Sequence, residues 1–197
     1  MVIFLRKLSY FLLIVYCTTY CIMLYNYNKI TPSEKEVKCL TYSFKNILVK
    51  DSIEIIHLQN QIINEICHSK ITNGRINIIN NLKYNRGECY DRSMILQKLC
   101  IINNIKIRPI YAYFRSDGTK GHWYDFFDKT ISSHSFFEFY YKGNWYVMRT
   151  NSKMKKMETI SEYFNSQNGV LKNAYYIRNL SNRNSKFIFP GYIPDIY

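Results

Sequence analysis

The sequence predicts an α+β domain in which a cysteine at a helix start packs on an antiparallel sheet, behind an N-terminal transmembrane helix. Three observations carry this. Apolar residues recur at helical spacing in the first half of the chain and give way to β-branched and aromatic runs divided by turn residues. Cys89 follows a polar, glycine-containing loop and opens a helical stretch. An uncharged run extends from Leu8 to Asn28. A length of 197 residues suits one domain with an appendage. With 47% hydrophobic and 21% charged residues, usage is ordinary for a globular chain, which excludes collagen-like, low-complexity and wholly disordered classes.

Arg6 and Lys7 precede the uncharged run and Lys29 ends it. About 20 residues at 1.5 Å each reach roughly 30 Å, the thickness of a hydrocarbon core. Tyr10, Tyr25 and Tyr27 sit near its ends, where interfacial aromatics belong. Residues 1–28 therefore read as a single-pass membrane anchor. A cleaved signal segment is the alternative, although Tyr20 interrupts the small residues that a cleavage site needs. Flanking charges pull both ways, and long domains translocate largely regardless of them, so the expected place of the domain is extracytoplasmic.

Residues 29–50 read as a linker or first helix, polar from Thr31 to Glu36 and containing Pro32. The domain proper is expected over 51–180. Asp51-Ser52-Ile53-Glu54 is a capping-box pattern, and Ile55, Ile56, Ile62, Ile63 and Ile66 follow at helical spacing, giving a helix over 51–68. The stretch 83–88 is polar, holds Gly87 and reads as a loop. Leu96, Leu99, Cys100 and Ile102 supply the apolar positions of a helix over 89–103, with Asp91 in its first turn and Asn103-Asn104 as its stop. Residues 105–114 form a strand in which Pro109 suggests an edge position or a strand start. Further strands are expected over 134–141 and 145–151, joined by a Lys142-Gly143 turn, then a short helix over 159–164. Residues 181–197 read as a C-terminal tail.

The net charge of +13 has a compositional source as well as a functional one. The chain holds 27 Ile, 20 Asn, 19 Tyr and 18 Lys, all residues with AT-rich codons. A basic chain favours anionic surfaces, so an acidic cell-envelope polymer joins the membrane among expected partners. Nucleic acid is not expected, because no nucleic-acid motif accompanies the charge. Cys17, Cys21, Cys39, Cys67, Cys89 and Cys100 form no CxxC pair, and His57, His68 and His122 have no partners at metal spacing. No metal or organic cofactor is expected. A disulfide among Cys39, Cys67 and Cys100 stays open and would leave Cys89 as the odd thiol.

The order is thus a cysteine at a helix start, a strand, and a hairpin that opens with His134. A helix N-terminus stabilises a thiolate, an imidazole takes up and returns its proton, and a third polar group orients the imidazole. If Lys142-Gly143 is a two-residue loop, Tyr141 pairs with Asn144 and paired positions sum to 285. His134 then lies opposite Asn151 on one face, and Asn151 can accept a hydrogen bond from it. Arg149 lies one diagonal step away. The catalytic candidates are therefore Cys89, His134 and Asn151, with the Cys89 amide in the oxyanion hole. Taken singly, Cys89 also reads as a buried structural thiol, and Asp91 as a helix-terminus charge. Trp145 is either core or a pocket wall. Trp123, in the aromatic stretch Gly121 to Asp128, belongs to a lid or to a packed loop.

The runs Arg86-Gly87-Glu88-Cys89-Tyr90-Asp91, Asn104-Ile105-Lys106-Ile107-Arg108, Ser133-His134-Ser135-Phe136 and Gly143-Asn144-Trp145 resemble the nucleophile and hairpin regions of the transglutaminase-like superfamily. The resemblance spans residues 85–151. It implies a papain-like core with a cysteine at the start of the central helix, and cysteine peptidase, amidase or acyltransferase chemistry on a protein or peptide substrate. Trp145, Trp123 and Arg149 are then the substrate-binding candidates. One departure stands out: the family's third residue is usually an Asp four positions after the Trp, and here that position is Arg149, which cannot accept a hydrogen bond. Asn151 shares its strand face, and papain-like enzymes use Asn as a third member. The alternative is a catalytically degenerate, membrane-anchored binding or scaffold protein of the same fold.

Overall fold

The computed structural model describes residues 6–18, 31–44, 47–69, 78–120, 122, 131–166, 175–179 and 192–194. Helix α1 (6–18) is followed by α2 (Glu34–Ser43), α3 (Ser52–Glu65), strand β1 (Cys67–His68), α4 (Ile78–Tyr84), β2 (Arg86–Gly87) and α5 (Cys89–Ile102). Then come β3 (Ile107–Phe114), β4 (Ser132–Tyr141), β5 (Asn144–Met148), α6 (Ile160–Ser166), β6 (Tyr175–Asn179) and β7 (Tyr192–Pro194). Strands β3 to β7 form one antiparallel sheet in the order β5-β4-β3-β6-β7, and β1 and β2 pair in parallel as a separate two-stranded unit.

The helices begin where their caps say. Ser33 and Glu36 form a capping box on α2. The Asp51 carboxylate accepts from the Ile53 and Glu54 amides, each at 2.9 Å, and a cap of this kind contributes about 1 kcal/mol. The first helix of the 29–50 segment is no mere linker, because Leu40 and Phe44 are fully buried in the main core. That core joins α2, α3, α4 and α5 to one face of the sheet through Phe137, Phe139 and Met148. Each fully buried side chain of this size contributes about 1.5–3 kcal/mol. The opposite face carries Ile110, Ala112, Phe136 and Val147 under Ile160 and Tyr163 of α6. The expected mixed helix-and-sheet class is the observed one, with α5 packed on β4.

The expected hairpin register is also observed. Tyr141 pairs with Asn144 and Phe137 with Met148, across a turn in which both Lys142 (φ 45°) and Gly143 (φ 90°) are left-handed. That is the two-residue geometry matched to strand twist.

Several expectations change. The strand expected over 145–151 stops at Met148, so Asn151 lies beyond the β4–β5 ladder, and the loop expected over 83–88 holds the end of α4 and all of β2. The helix over 51–68 stops at Glu65, because the Ile66 backbone turns extended and its carbonyl is taken by Arg92. Strand β3 is central, not an edge. Pro109 is tolerated there because β6 pairs only with Ile110 to Tyr113, so the missing amide falls outside that ladder. The tail is not wholly apart, since Tyr192–Pro194 pairs with β6. The expected membrane anchor is covered only in part: α1 exposes Phe11, Leu12, Leu13 and Ile14, and residues 19–28 lie outside the described residues. Among the described residues no helix is long and apolar enough to cross a membrane.

Candidate active site

Cys89 is the first residue of α5 and is half-buried. The chain before it is fixed from both sides. Asp91 accepts from the Glu88 amide at 3.0 Å, the helix-terminus role expected of it. Gly87 pairs with His68 across β1 and β2. A Cβ on Gly87 would stand 2.8 Å from Asp91 Cβ and 3.3 Å from Ile66 Cγ2, so only glycine lets the strand run so close under the helix start.

His134 lies in β4, 5% exposed and opposite Ala112. Its imidazole donates to the Asn151 side chain, the partnership that the hairpin arithmetic expects. Burial is the main force on its protonation and pushes it down to about 4; the charge of His68 acts in the same direction, and the hydrogen bond to Asn151 opposes both. The ring is therefore neutral at physiological pH. Nε2 is buried and has no hydrogen-bond partner among the described residues, so the thiol of Cys89 is not in hydrogen-bonding reach of it. Strand alternation gives the reason. Phe137 faces the α5 core, while His134 shares the other face with Phe136, on which it stacks at 5.6 Å.

Asn151 is held from behind. Gln59, fully buried in α3, donates to the carbonyls of Arg149 (2.8 Å) and Ser152 (2.9 Å) and accepts from the Met154 amide at 3.0 Å. Asn60 adds bonds to the Met154 carbonyl and amide. The Thr150 hydroxyl donates to the Ser135 carbonyl at 2.8 Å, tying this segment to the residue after His134.

The other candidates are placed elsewhere. Arg149 pairs with Glu158 and lies over the Tyr163 ring at 5.2 Å, so its guanidinium is engaged inside the fold. Trp145 pairs with Tyr140, six strand positions from His134, or roughly 20 Å. It packs on the Tyr140 ring and under the Arg108 guanidinium, 4.2 Å from its centroid. Trp145 is thus distant from His134, while Arg149 lies over Tyr163, which packs on the Phe136 ring that His134 shares. Trp123 lies outside the described residues, as does most of its aromatic stretch.

Three residues near the site carry no sequence motif. Cys67 and His68 read as the end of a helix, yet they form β1 beside the loop that leads to Cys89. Arg92 is buried, and its guanidinium donates to the Ile66 carbonyl (Nε, 2.8 Å) and the Thr150 carbonyl (Nη1, 3.3 Å). The one available signal was an arginine three residues after the cysteine, on the same helix face. The five described cysteines, Cys17, Cys39, Cys67, Cys89 and Cys100, are free thiols. Among the described residues no cluster of three or more metal-ligating side chains occurs.

No protein-family model and no curated protein matches the chain. One solved structure, of a candidate cysteine protease from Cytophaga hutchinsonii, is similar at 16% identity and a TM-score of 0.46. The match covers 76% of this chain and spans half the length of that protein, 50%.

Proposed function

We propose that the protein is a transglutaminase-like cysteine enzyme that opens a carboxamide or peptide bond by acyl transfer through Cys89. The observation that carries this is a neutral, buried His134 that donates to Asn151 and keeps Nε2 free to accept a proton. In the proposed cycle the Cys89 thiol gives its proton to that nitrogen, and the sulfur attacks the carbonyl carbon. The C–N bond breaks, the proton leaves with the amine, and a Cys89 thioester remains. Water, deprotonated by the same imidazole, attacks the thioester and returns the thiol with a carboxylic acid. The Cys89 amide faces the developing oxyanion. The cycle requires a substrate complex in which His134 turns from the Phe136 face toward α5, because Nε2 and the Cys89 thiol lie apart here. The exposed apolar surface of α1 supports membrane attachment through the N-terminal segment.

A second reading has its own support: the absence of a Cys89 bond to Nε2 favours a binding protein that has lost turnover. One experiment separates them. The full chain is alkylated with iodoacetamide across pH 5 to 9, and Cys89 modification is read by peptide mass spectrometry with and without His134→Ala. The enzyme reading expects modification of Cys89 to reach lower pH in the wild type than in the variant. Identical profiles would leave the binding protein.

A further inference from the structure

Arg92 is 4% exposed, yet among the described residues no carboxylate lies within ion-pairing distance of it. Other buried or half-buried cations among the described residues have one: Lys98 meets Glu36 at 2.8 Å, and Arg108 and Arg149 meet Glu138 and Glu158. A buried charge is costly unless it is paired. Carbonyls of Ile66 and Thr150 satisfy the donors of Arg92 but bring no negative charge. Burial pushes the guanidinium below its ordinary value, and Cys67 and Cys89 in their anionic form push it back up.

The positions of its bonds add a second argument. Ile66 immediately precedes Cys67 and His68, and Thr150 immediately precedes Asn151. One side chain on the first turn of α5 therefore gathers three separate segments: the helix start with Cys89, the β1 strand, and the strand end that holds the partner of His134.

We propose that Arg92 is a positioning residue for the Cys89 chemistry, holding the helix start against the Thr150–Asn151 segment and supplying the fixed positive charge that a Cys89 thiolate needs. The role rests on the Cys89–His134 reading, but its charge component is separable from it.

The test is a double-mutant cycle on the full chain: wild type, Arg92→Met, His134→Ala and both together. Iodoacetamide is the probe and Cys89 alkylation at pH 7 the readout. Loss of the cation slows Cys89 alkylation about threefold to tenfold in both backgrounds, since a neighbouring opposite charge moves an ionisation by one unit or more while nucleophilicity partly compensates. Arg92→Lys keeps the charge and loses the planar fork, so it restores most of the rate. An Arg92→Met protein that reacts at the wild-type rate overturns the proposal. An effect of Arg92→Met without any effect of His134→Ala sinks the Cys–His reading and leaves the charge role standing; the reverse result sinks Arg92 alone. Should Arg92→Met fail to fold, Arg92→Gln, which keeps a donor for the Ile66 carbonyl and removes the charge, takes its place, and an unchanged Cys89 alkylation rate overturns the proposal.

Discussion

The two ends of α5 solve one problem in opposite ways. Each buries a cation and carries a cysteine. At the back, Lys98 is closed against the Glu36 carboxylate, and Cys100 is 3% exposed in the main core. At the front, Arg92 has only backbone carbonyls as partners, and Cys89 is half-buried just after the β2 strand. The back end is electrostatically finished. The front end leaves a positive charge that a reacting group can use. Burial alone therefore does not make a cysteine inert or reactive; what faces it decides.

The sharpest way to break this comparison is to label both cysteines. Burial pushes the Cys100 thiol up to about 12 from an ordinary 9.0, which lowers its thiolate fraction near pH 8 about a thousandfold. Iodoacetamide should modify Cys89 in the folded chain and leave Cys100 intact until urea unfolds it. Cys100 reacting at its unfolded rate would mean that the back of α5 is open and the contrast false.

A smaller effect tests the pairing at the back. Glu36→Gln keeps an oxygen for the Ser33 cap and removes the charge opposite Lys98, so it should cost about 3 kcal/mol in urea unfolding by leaving a buried ammonium alone. Lys98→Met, which removes the cation instead, should cost much less. Equal losses would show that packing, not charge, holds α2 to α5.

The front end also shows how far a sequence reaches. The hairpin was legible because two-residue turn geometry and period-two alternation are local rules; the ladder they set runs to Phe137 and Met148, and Asn151 meets His134 from beyond its end. Cys89 was legible because polar loop and helix start are adjacent in the chain. Arg92 was not, since its partners Ile66 and Thr150 are 26 and 58 residues away and are backbone carbonyls, which no side-chain pattern announces. Gln59 hides for the same reason, bonding Arg149 and Ser152 carbonyls 90 and 93 residues on. Arg149 stands where an Asp is expected and reads either as a salt-bridge partner or as a contact to a substrate anion; its guanidinium closes on Glu158, nine residues further along. Alternation along β4 also puts His134 with Phe136 on the face away from the α5 core, a consequence visible only once the helix is docked.

The smallest expected effect concerns His134 itself. Its folded value of about 4 lies below the ordinary 6.5 because burial, helped by the His68 charge, outweighs the Asn151 bond. Between those two values the unfolded chain binds more protons than the folded one, so stability rises with pH there. The contribution is fully present above 6.5, is lost as pH falls toward 4, and amounts to about 3 kcal/mol across the window. Roughly half should vanish between pH 6.5 and 5 in urea titrations. That range stays clear of Glu36: burial raises its carboxyl, but Lys98 and Ser33 outweigh burial and hold it below its ordinary 4.5, so its own loss begins at lower pH. In His134→Gln the slope between 6.5 and 5 should flatten, because no proton is left to bind at that position. If the variant keeps the wild-type slope, His134 is not the buried neutral base on which the front end of α5 depends, and the proton acceptor for Cys89 must be sought at His68.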